Sequence, residues 1–194
     1  IRFLDHLIYH DWRHIRHIYF LQVAQMALDL KMFVCGPTVY DHSHLGHGRT
    51  YLFFDIVAKF LRARGHSLFY LQNITDIDDK IIGRAAKENI DWKTLASKYE
   101  AEYYKDMELL GVDSVSKYAK ASDHIPEIIS QIEKLLEKGY AYKTSIGIYY
   151  DVSKFPDYGK LSRQDLEKLE PSERTEENPG KRNPHDFVLW KAAK

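Results

Sequence analysis

The sequence predicts an α/β fold in which a parallel sheet is followed by a smaller mixed segment, and three observations carry that prediction. Two short apolar runs, Met32 to Cys35 and Leu68 to Ile74, read as strands with a helical periodicity between them. A second helical stretch follows the second run, and strand, helix, strand, helix in that order builds a parallel βαβ unit. Past Gly111 the pattern changes to an amphipathic helix and a hairpin, which suggests a core plus an insertion.

Met32 to Cys35 contains the β-branched Val34 and is punctuated by Gly36-Pro37, which predicts a buried strand ending in a turn. Phe53, Ile56, Val57, Phe60 and Leu61 recur at helical spacing, and Gly65 follows Arg62 and Arg64 as a stop. Leu68 to Ile74 is the second strand. Thr75 with Asp78 three residues on forms a capping-box-like start for a helix carrying Ile81, Ile82, Ala85 and Ala86. Leu95, Tyr99, Tyr103, Met107 and Leu110 mark a helix closed by Gly111. Ile125, Ile128, Ile129, Ile132, Leu135 and Leu136 mark another closed by Gly139. Tyr140 to Tyr142 and Ile148 to Val152 flank the Ser145-Ile146-Gly147 turn of a hairpin, and Glu170 to Pro184 has loop composition.

Composition narrows the function classes. A chain of 194 residues with 44% hydrophobic and 29% charged residues is globular, with one domain or one and a fraction. Lys plus Arg is 28 and Asp plus Glu is 28, for a net charge of zero, which argues against gripping nucleic acid with the whole surface. Cys35 is the one cysteine, which forbids an internal disulfide and suits a reducing cytosol, so a cytoplasmic location is expected. No run of about 18 apolar residues is present to span a membrane.

Ile1 to Leu30 reads as an atypical N-terminal extension, without Gly, Pro, Ser or Thr. His6, His10, His14 and His17 would share one helical face, a candidate metal site. No carboxylate or cysteine completes a ligand pattern there, and packing among the surrounding apolar residues is the stronger reading. Asp5, His6, His10, Asp11 and Arg13 interrupt any signal-peptide core.

The densest chemistry runs from Cys35 to Thr50, between the first strand and the first helix, where open α/β sheets place their ligands. Gly46 and Gly48 allow close backbone approach, the helix N-terminus offers amides to phosphate, and histidines there can donate hydrogen bonds to phosphate oxygens. His44 and His47 also read as ordinary polar helix-start residues. Tyr51 stands where a dinucleotide fingerprint needs its third glycine, and no Gly-Lys-Ser or Gly-Lys-Thr is present. Cys35 reads either as a small inert core residue or as a ligand shared with a metal or substrate thiol, whose other partners must come from elsewhere. Asp76, Asp78 and Asp79 beside Lys80 make an acidic cluster that is a weak candidate for a magnesium site, since acidic residues at a helix start are expected for the dipole alone.

Four blocks carry a family resemblance: Met32-Phe-Val-Cys-Gly-Pro-Thr-Val-Tyr-Asp41, His44-Leu-Gly-His-Gly-Arg-Thr50, Asn73-Ile-Thr-Asp-Ile-Asp-Asp-Lys-Ile-Ile82 and Asp186-Phe-Val-Leu-Trp-Lys191. With these, Lys31 to Lys194 resembles the N-terminal catalytic half of the cysteinyl-tRNA synthetases, which are class I aminoacyl-tRNA synthetases. Leu45 stands in the class signature His-Ile-Gly-His in place of Ile. The resemblance implies the first half of a Rossmann-like nucleotide-binding fold over residues 31–110, and a connective insertion over 111–194.

It also implies ATP-dependent activation of cysteine and transfer to tRNA. ATP, with Mg2+, would meet Pro37, Thr38, Tyr40, His44, Gly46, His47 and Gly48. His44 and His47 would stabilise the triphosphate while the cysteine carboxylate attacks the α-phosphorus. The substrate cysteine would lie by Cys35, Gly36, Thr75 and His47, with Thr75 near its amino group. Cys35 matches the first ligand of a zinc ion that binds the substrate thiolate, and a soft metal separates thiolate from the hydroxyl of serine. tRNA contact through local patches is compatible with the neutral charge.

The chain also departs from the family. It stops at Lys194, before the remaining zinc ligands, the second half of the nucleotide fold, the lysine-rich signature loop and the anticodon-recognising region. Ile1 to Leu30 replaces the expected Asn-Thr-Leu-Thr entry strand. The expectation is a fragment, or a truncated or misjoined gene product, whose 194 residues bind zinc poorly and form little cysteinyl-adenylate. Two alternatives are a mycothiol-type ligase joining cysteine to an amino-sugar and a non-catalytic truncated paralogue. Asp78-Asp79-Lys80-Ile81-Ile82, Arg84-Ala85 and Leu161-Ser162-Arg163-Gln164 look more like the tRNA enzyme.

Overall fold

The computed structural model describes residues 28–163 and 180–192. The histidine series of the first seventeen residues lies outside them, as does most of the expected loop before Pro184. The chain divides into two compact units between His124 and Ile125.

The first unit is built on a three-stranded parallel sheet in the order β1-β2-β3, with β1 Asp29–Val34, β2 Ser67–Ile74 and β3 Lys117–Lys120. Helix α1, Leu45–Ala63, crosses from β1 to β2, and α2, Asp79–Glu88, with α3, Trp92–Leu109, leads from β2 to β3. The expected βαβ unit is present, and β3, whose four residues are too few for a periodic signal, joins it unannounced. Leu68, Tyr70, Gln72 and Ile74 alternate along β2 into the core, where Leu95, Tyr99, Tyr103 and Met107 of α3 meet them.

Three expectations need correction. The first strand is not wholly buried: only Val34 is, Phe33 is 62% exposed, and the strand ends one residue before Cys35. Side chains alternate across a strand, so an all-apolar run still sends half its members away from the core. In α1 the buried residues are Tyr51, Asp55 and Ala58, while Phe53, Ile56 and Phe60 are exposed. Helix α2 is capped by Asp78, which accepts from the Lys80 amide at 2.9 Å, and not by Thr75. Thr75 is held in extended pairing with Thr38 and so cannot serve the helix.

A buried carboxylate explains the face α1 presents. Asp55 accepts from the amides of Asp113 at 3.0 Å and Ser114 at 2.9 Å. Lys59 then bridges Asp55 at 2.8 Å, Asp113 at 2.9 Å and the Gly111 carbonyl at 2.9 Å. Burial pushes the Asp55 carboxyl up, but its bonds to Lys59 and Ser114 outweigh that and hold it below its ordinary value. The turn that delivers the chain to β3 is thereby fixed to α1.

The second unit contains α4, Ile125–Glu137, and an antiparallel sheet in the order β4-β5-β6, with β4 Ala141–Thr144, β5 Gly147–Tyr150 and β6 Phe187–Lys191. The expected helix and hairpin are both present. Asp186, 1% exposed, receives bonds from the Tyr142 hydroxyl at 2.6 Å, the Val152 amide at 2.9 Å and the Asn183 amide at 3.0 Å, so this buried charge is fully partnered.

Replacing Asp55 with alanine leaves the buried Ser114 amide and the half-buried Asp113 amide without their acceptor, while Lys59 keeps Asp113 and the Gly111 carbonyl, and is expected to cost about 2 kcal/mol of stability. Chemical denaturation checks this, and a loss below about 0.5 kcal/mol, the range of an ordinary surface change, would contradict the role given to Asp55.

Candidate functional site

The site forms where β1 and β2 end. Asn73 Oδ1 accepts from the Gly36 amide at 2.9 Å, and a Cβ on residue 36 would sit 1.7 Å from the Asn73 carbonyl oxygen. Only glycine lets the two strands come this close. The chain then returns to pairing, with Thr75 N–H donating to Pro37 O at 3.0 Å and Val39 N–H to Thr75 O at 3.1 Å. Asn73 Nδ2 also donates to Thr75 Oγ1 at 3.1 Å. Gly36, Pro37, Thr38 and Thr75 are thus brought together at the carboxyl ends of two parallel strands, with Cys35 at the start of the same turn. Asn73 binds them, a role the sequence did not single out.

Cys35 is exposed, so the reading of an inert core cysteine is corrected: the strand ends before it, and the thiol lies outside the packed face. Its carbonyl accepts from the Tyr51 hydroxyl at 3.4 Å. Burial pushes the Tyr51 phenol far above its ordinary value, so it stays a donor. Among the described residues no three His, Cys, Asp or Glu side chains come together as a metal group. Cys35 supplies one soft ligand of the kind zinc takes, and the described residues do not complete such a centre. In the acidic cluster, Asp76 is buried and accepts from both the amide and the hydroxyl of Ser122, while Asp78 caps α2. Both are committed to holding backbone.

The first turn of α1 contains two histidines in reciprocal contact. His44 is the N-cap: its Nδ1 accepts from the Gly46 amide at 3.1 Å, and His47 Nδ1 accepts from the His44 amide at 3.2 Å, completing a capping box. The two rings stack with centroids 3.9 Å apart and planes 18° apart. A Cβ on Gly46 would lie 2.8 Å from the His44 ring, which explains the glycine. Because each Nδ1 accepts, the neutral form of each ring carries its proton on Nε2, and no described residue accepts from either Nε2. The structural and phosphate-facing readings of these histidines are therefore compatible, since each ring uses one nitrogen for the cap and keeps the other as a donor. Burial, then the neighbouring His44, lowers the pKa of His47, favouring this neutral form. Two N–H donors and the positive end of α1 on one turn are what a polyanion requires.

The loop between Thr38 and His44 carries Tyr40, and Arg84 reaches it from α2, donating to the Tyr40 carbonyl at 2.8 Å. Gly48 lies one turn into α1, with Leu110 the nearest side chain to a Cβ there, at 3.4 Å. A cavity of about 570 Å³ borders the cap and is lined by His44, Leu45, Gly48, Arg49, Leu52 and Leu110; Cys35, Gly36, Thr38 and Thr75 do not line it.

A family model described as tRNA synthetases class I (C) catalytic domain matches residues 21–194. The chain is 58% identical over 165 residues to the cysteine–tRNA ligase of Thermoplasma acidophilum, covering 85% of this chain and 36% of that protein. It is 51% identical over 166 residues to the cysteine–tRNA ligase of Pyrococcus furiosus, covering 86% of this chain and 35% of that protein. The chain therefore spans about a third of the length of these curated relatives. Among solved structures, Mycobacterium tuberculosis methionyl-tRNA synthetase in complex with methionyl-adenylate is similar with a TM-score of 0.56 at 19% identity, over 66% of this chain and 25% of that one. At that identity the likeness shows the fold, a Rossmann-like class I catalytic domain. No helix among the described residues is long and apolar enough to cross a membrane.

The lowered pKa of His47 makes stability depend on pH. As pH falls through about 6.5 the unfolded chain takes up a proton that the folded chain resists, so stability falls with pH in the window below that value. His47→Asn, which keeps a side-chain acceptor but does not titrate, is expected to flatten that part of the stability–pH curve. Identical slopes for the two proteins in denaturant titrations would show that His47 is not held neutral.

Proposed function

The chain belongs to the class I tRNA synthetase (C) catalytic-domain family, and from that premise we propose that it carries the cysteine-activating site of a cysteine–tRNA ligase. The reading rests above all on one observation, the His44–His47 cap, which reserves two Nε2–H donors at the N-terminus of α1, beyond the strand ends. In this reading the nucleotide half runs from β1 at Asp29 through β3 to His124, past the bounds of 31–110 expected from the sequence because β3 joins the parallel sheet, and the connective insertion follows.

ATP lies across the strand-to-helix junction. Pro37, Thr38 and Tyr40 border it on the loop side, Gly46 and Gly48 let it approach the backbone, and His44 and His47 donate to its phosphate oxygens. The carboxylate of cysteine attacks the α-phosphorus, the new P–O bond forms as the bond to the bridging oxygen breaks, and pyrophosphate leaves with the electron pair. The histidines take no proton in this step. They lower its barrier by holding donors where charge accumulates on the leaving group, and fixed donors need no reorganisation at the moment of reaction. Gly36 and Thr75 border the amino acid, Thr75 offering its hydroxyl to the amino group. Cys35 would give a zinc ion one thiolate ligand, and a bound zinc would supply selective recognition of the substrate thiol. Mg2+ accompanies ATP. Transfer of the cysteinyl group to tRNA completes the reaction of the whole protein. Relatives that are cysteine–tRNA ligases at 58% and 51% identity favour this over an amino-sugar ligase or a non-catalytic paralogue.

Asparagine separates the two duties of each histidine, since its carbonyl can serve the cap while the Nε2–H is lost. This chain is expected to bind Mg-ATP, and His44→Asn and His47→Asn are each expected to weaken binding by about tenfold or more without loss of helix. Calorimetric titration and circular dichroism check this. No ATP binding by the unsubstituted chain, or full affinity in both variants, would overturn the reading.

A further inference from the structure

We propose that Arg84 is a positioning residue that holds the nucleotide-side loop, residues 39–42, in its binding shape; this rests on the reading of the site given above. All three guanidinium nitrogens are engaged. Nη1 donates to the Tyr40 carbonyl at 2.8 Å and pairs with Asp41 Oδ2 at 2.8 Å. Nη2 donates to the Tyr99 hydroxyl at 2.6 Å, and Nε donates to Glu88 at 2.6 Å. One planar group thus joins the loop to α3 and to the next turn of its own helix.

Its neighbours serve the same loop. Lys80, Arg84 and Glu88 fall four residues apart on one face of α2. Lys80 Nζ lies 5.0 Å from the Tyr40 ring centroid. The His42 ring meets Tyr99 edge-on at 5.1 Å, and the Arg84 guanidinium lies 4.8 Å from the Tyr99 ring. Tyr40, Asp41 and His42 are therefore each held from α2 or α3. On either side the loop is already fixed, by the Thr38–Thr75 bridge and by the His44 cap. Arg84 supplies the intermediate anchor.

Magnitude decides what the anchor is for. Asp41 is half exposed, and an exposed ion pair adds little to stability, so the fold does not depend on it. Geometry is the greater consequence, because a ligand gains affinity when the groups that meet it are ordered beforehand. The Arg84 bond, then the His42 amide, holds the Asp41 carboxyl below its usual range, so both partners are charged at neutral pH. Lysine keeps the charge but cannot fork to a carbonyl, a carboxylate and a phenol at once.

The test uses the 194-residue chain with Mg-ATP as probe and compares Arg84→Lys, Arg84→Ala and Asp41→Asn. Arg84→Lys is expected to weaken ATP binding by about tenfold with an unfolding midpoint within a few degrees of the parent. Amide NMR signals of Tyr40, Asp41 and His42 should shift while those of β2 stay. Asp41→Asn, which spares the carbonyl bond, should give a smaller loss, and it decides the matter with Arg84→Lys if Arg84→Ala does not fold. Parent-like ATP affinity in Arg84→Lys, in a chain whose binding still falls with His44→Asn, would overturn this inference and leave the functional reading standing. A parent chain that does not bind ATP would overturn both.

Discussion

Two imidazoles in the first turn of α1 each give one nitrogen to the backbone, and the rest of the site takes its meaning from that exchange. A helix start leaves amides without partners, and His44 and His47 satisfy two of them reciprocally, the task Ser and Glu perform in an ordinary capping box. Imidazole differs from both in having a second nitrogen, whose state is set by what the first one does. With Nδ1 accepting, Nε2 is a donor, fixed in place without a dedicated supporting side chain. Gly46 is the geometric price of this arrangement, since a side chain there would strike the His44 ring.

The cap would face nothing in particular if the strand ends did not converge beside it. The contact between Gly36 and Asn73 brings β1 and β2 close enough for the chain to resume pairing at Thr38 and Thr75 before it turns toward α1. Tyr51, one turn beyond the cap, reaches back to the Cys35 carbonyl and ties the helix to the strand end. Farther along, Asp55 and Lys59 fix the turn that delivers β3. A single helix thus carries the anion-facing donors at its start and the anchors of the sheet along its length.

The sequence made some of this legible and concealed the rest, for physical reasons. Leu95, Tyr99, Tyr103 and Met107 repeat every four residues and are buried as a stripe, so α3 could be read directly. The hairpin was equally plain from its turn. The start of α2 was misread because Thr75 and Asp78 satisfy a local pattern, yet Thr75 is claimed by a strand partner 37 residues earlier. The buried face of α1 was misread because a buried aspartate outranks three exposed apolar residues once its amide partners, more than fifty residues away, are in place. Asp76 looked like one of a local acidic group and instead holds Ser122. The histidine and glycine positions were visible in the motif, and the Asn73 contact was not, because nothing in a single sequence places Gly36 against a residue in the next strand. Arg84 had one local sign, its four-residue spacing from Lys80 and Glu88.

Which nitrogen of each ring holds its proton is directly measurable. Long-range nitrogen–proton NMR on imidazole-labelled chain, at a pH where both rings are neutral, should show His44 and His47 as Nε2–H tautomers with Nδ1 bare. An Nδ1–H tautomer at either residue would mean that the ring does not cap the helix and that its remaining nitrogen has no proton to offer a phosphate, which would contradict the central claim.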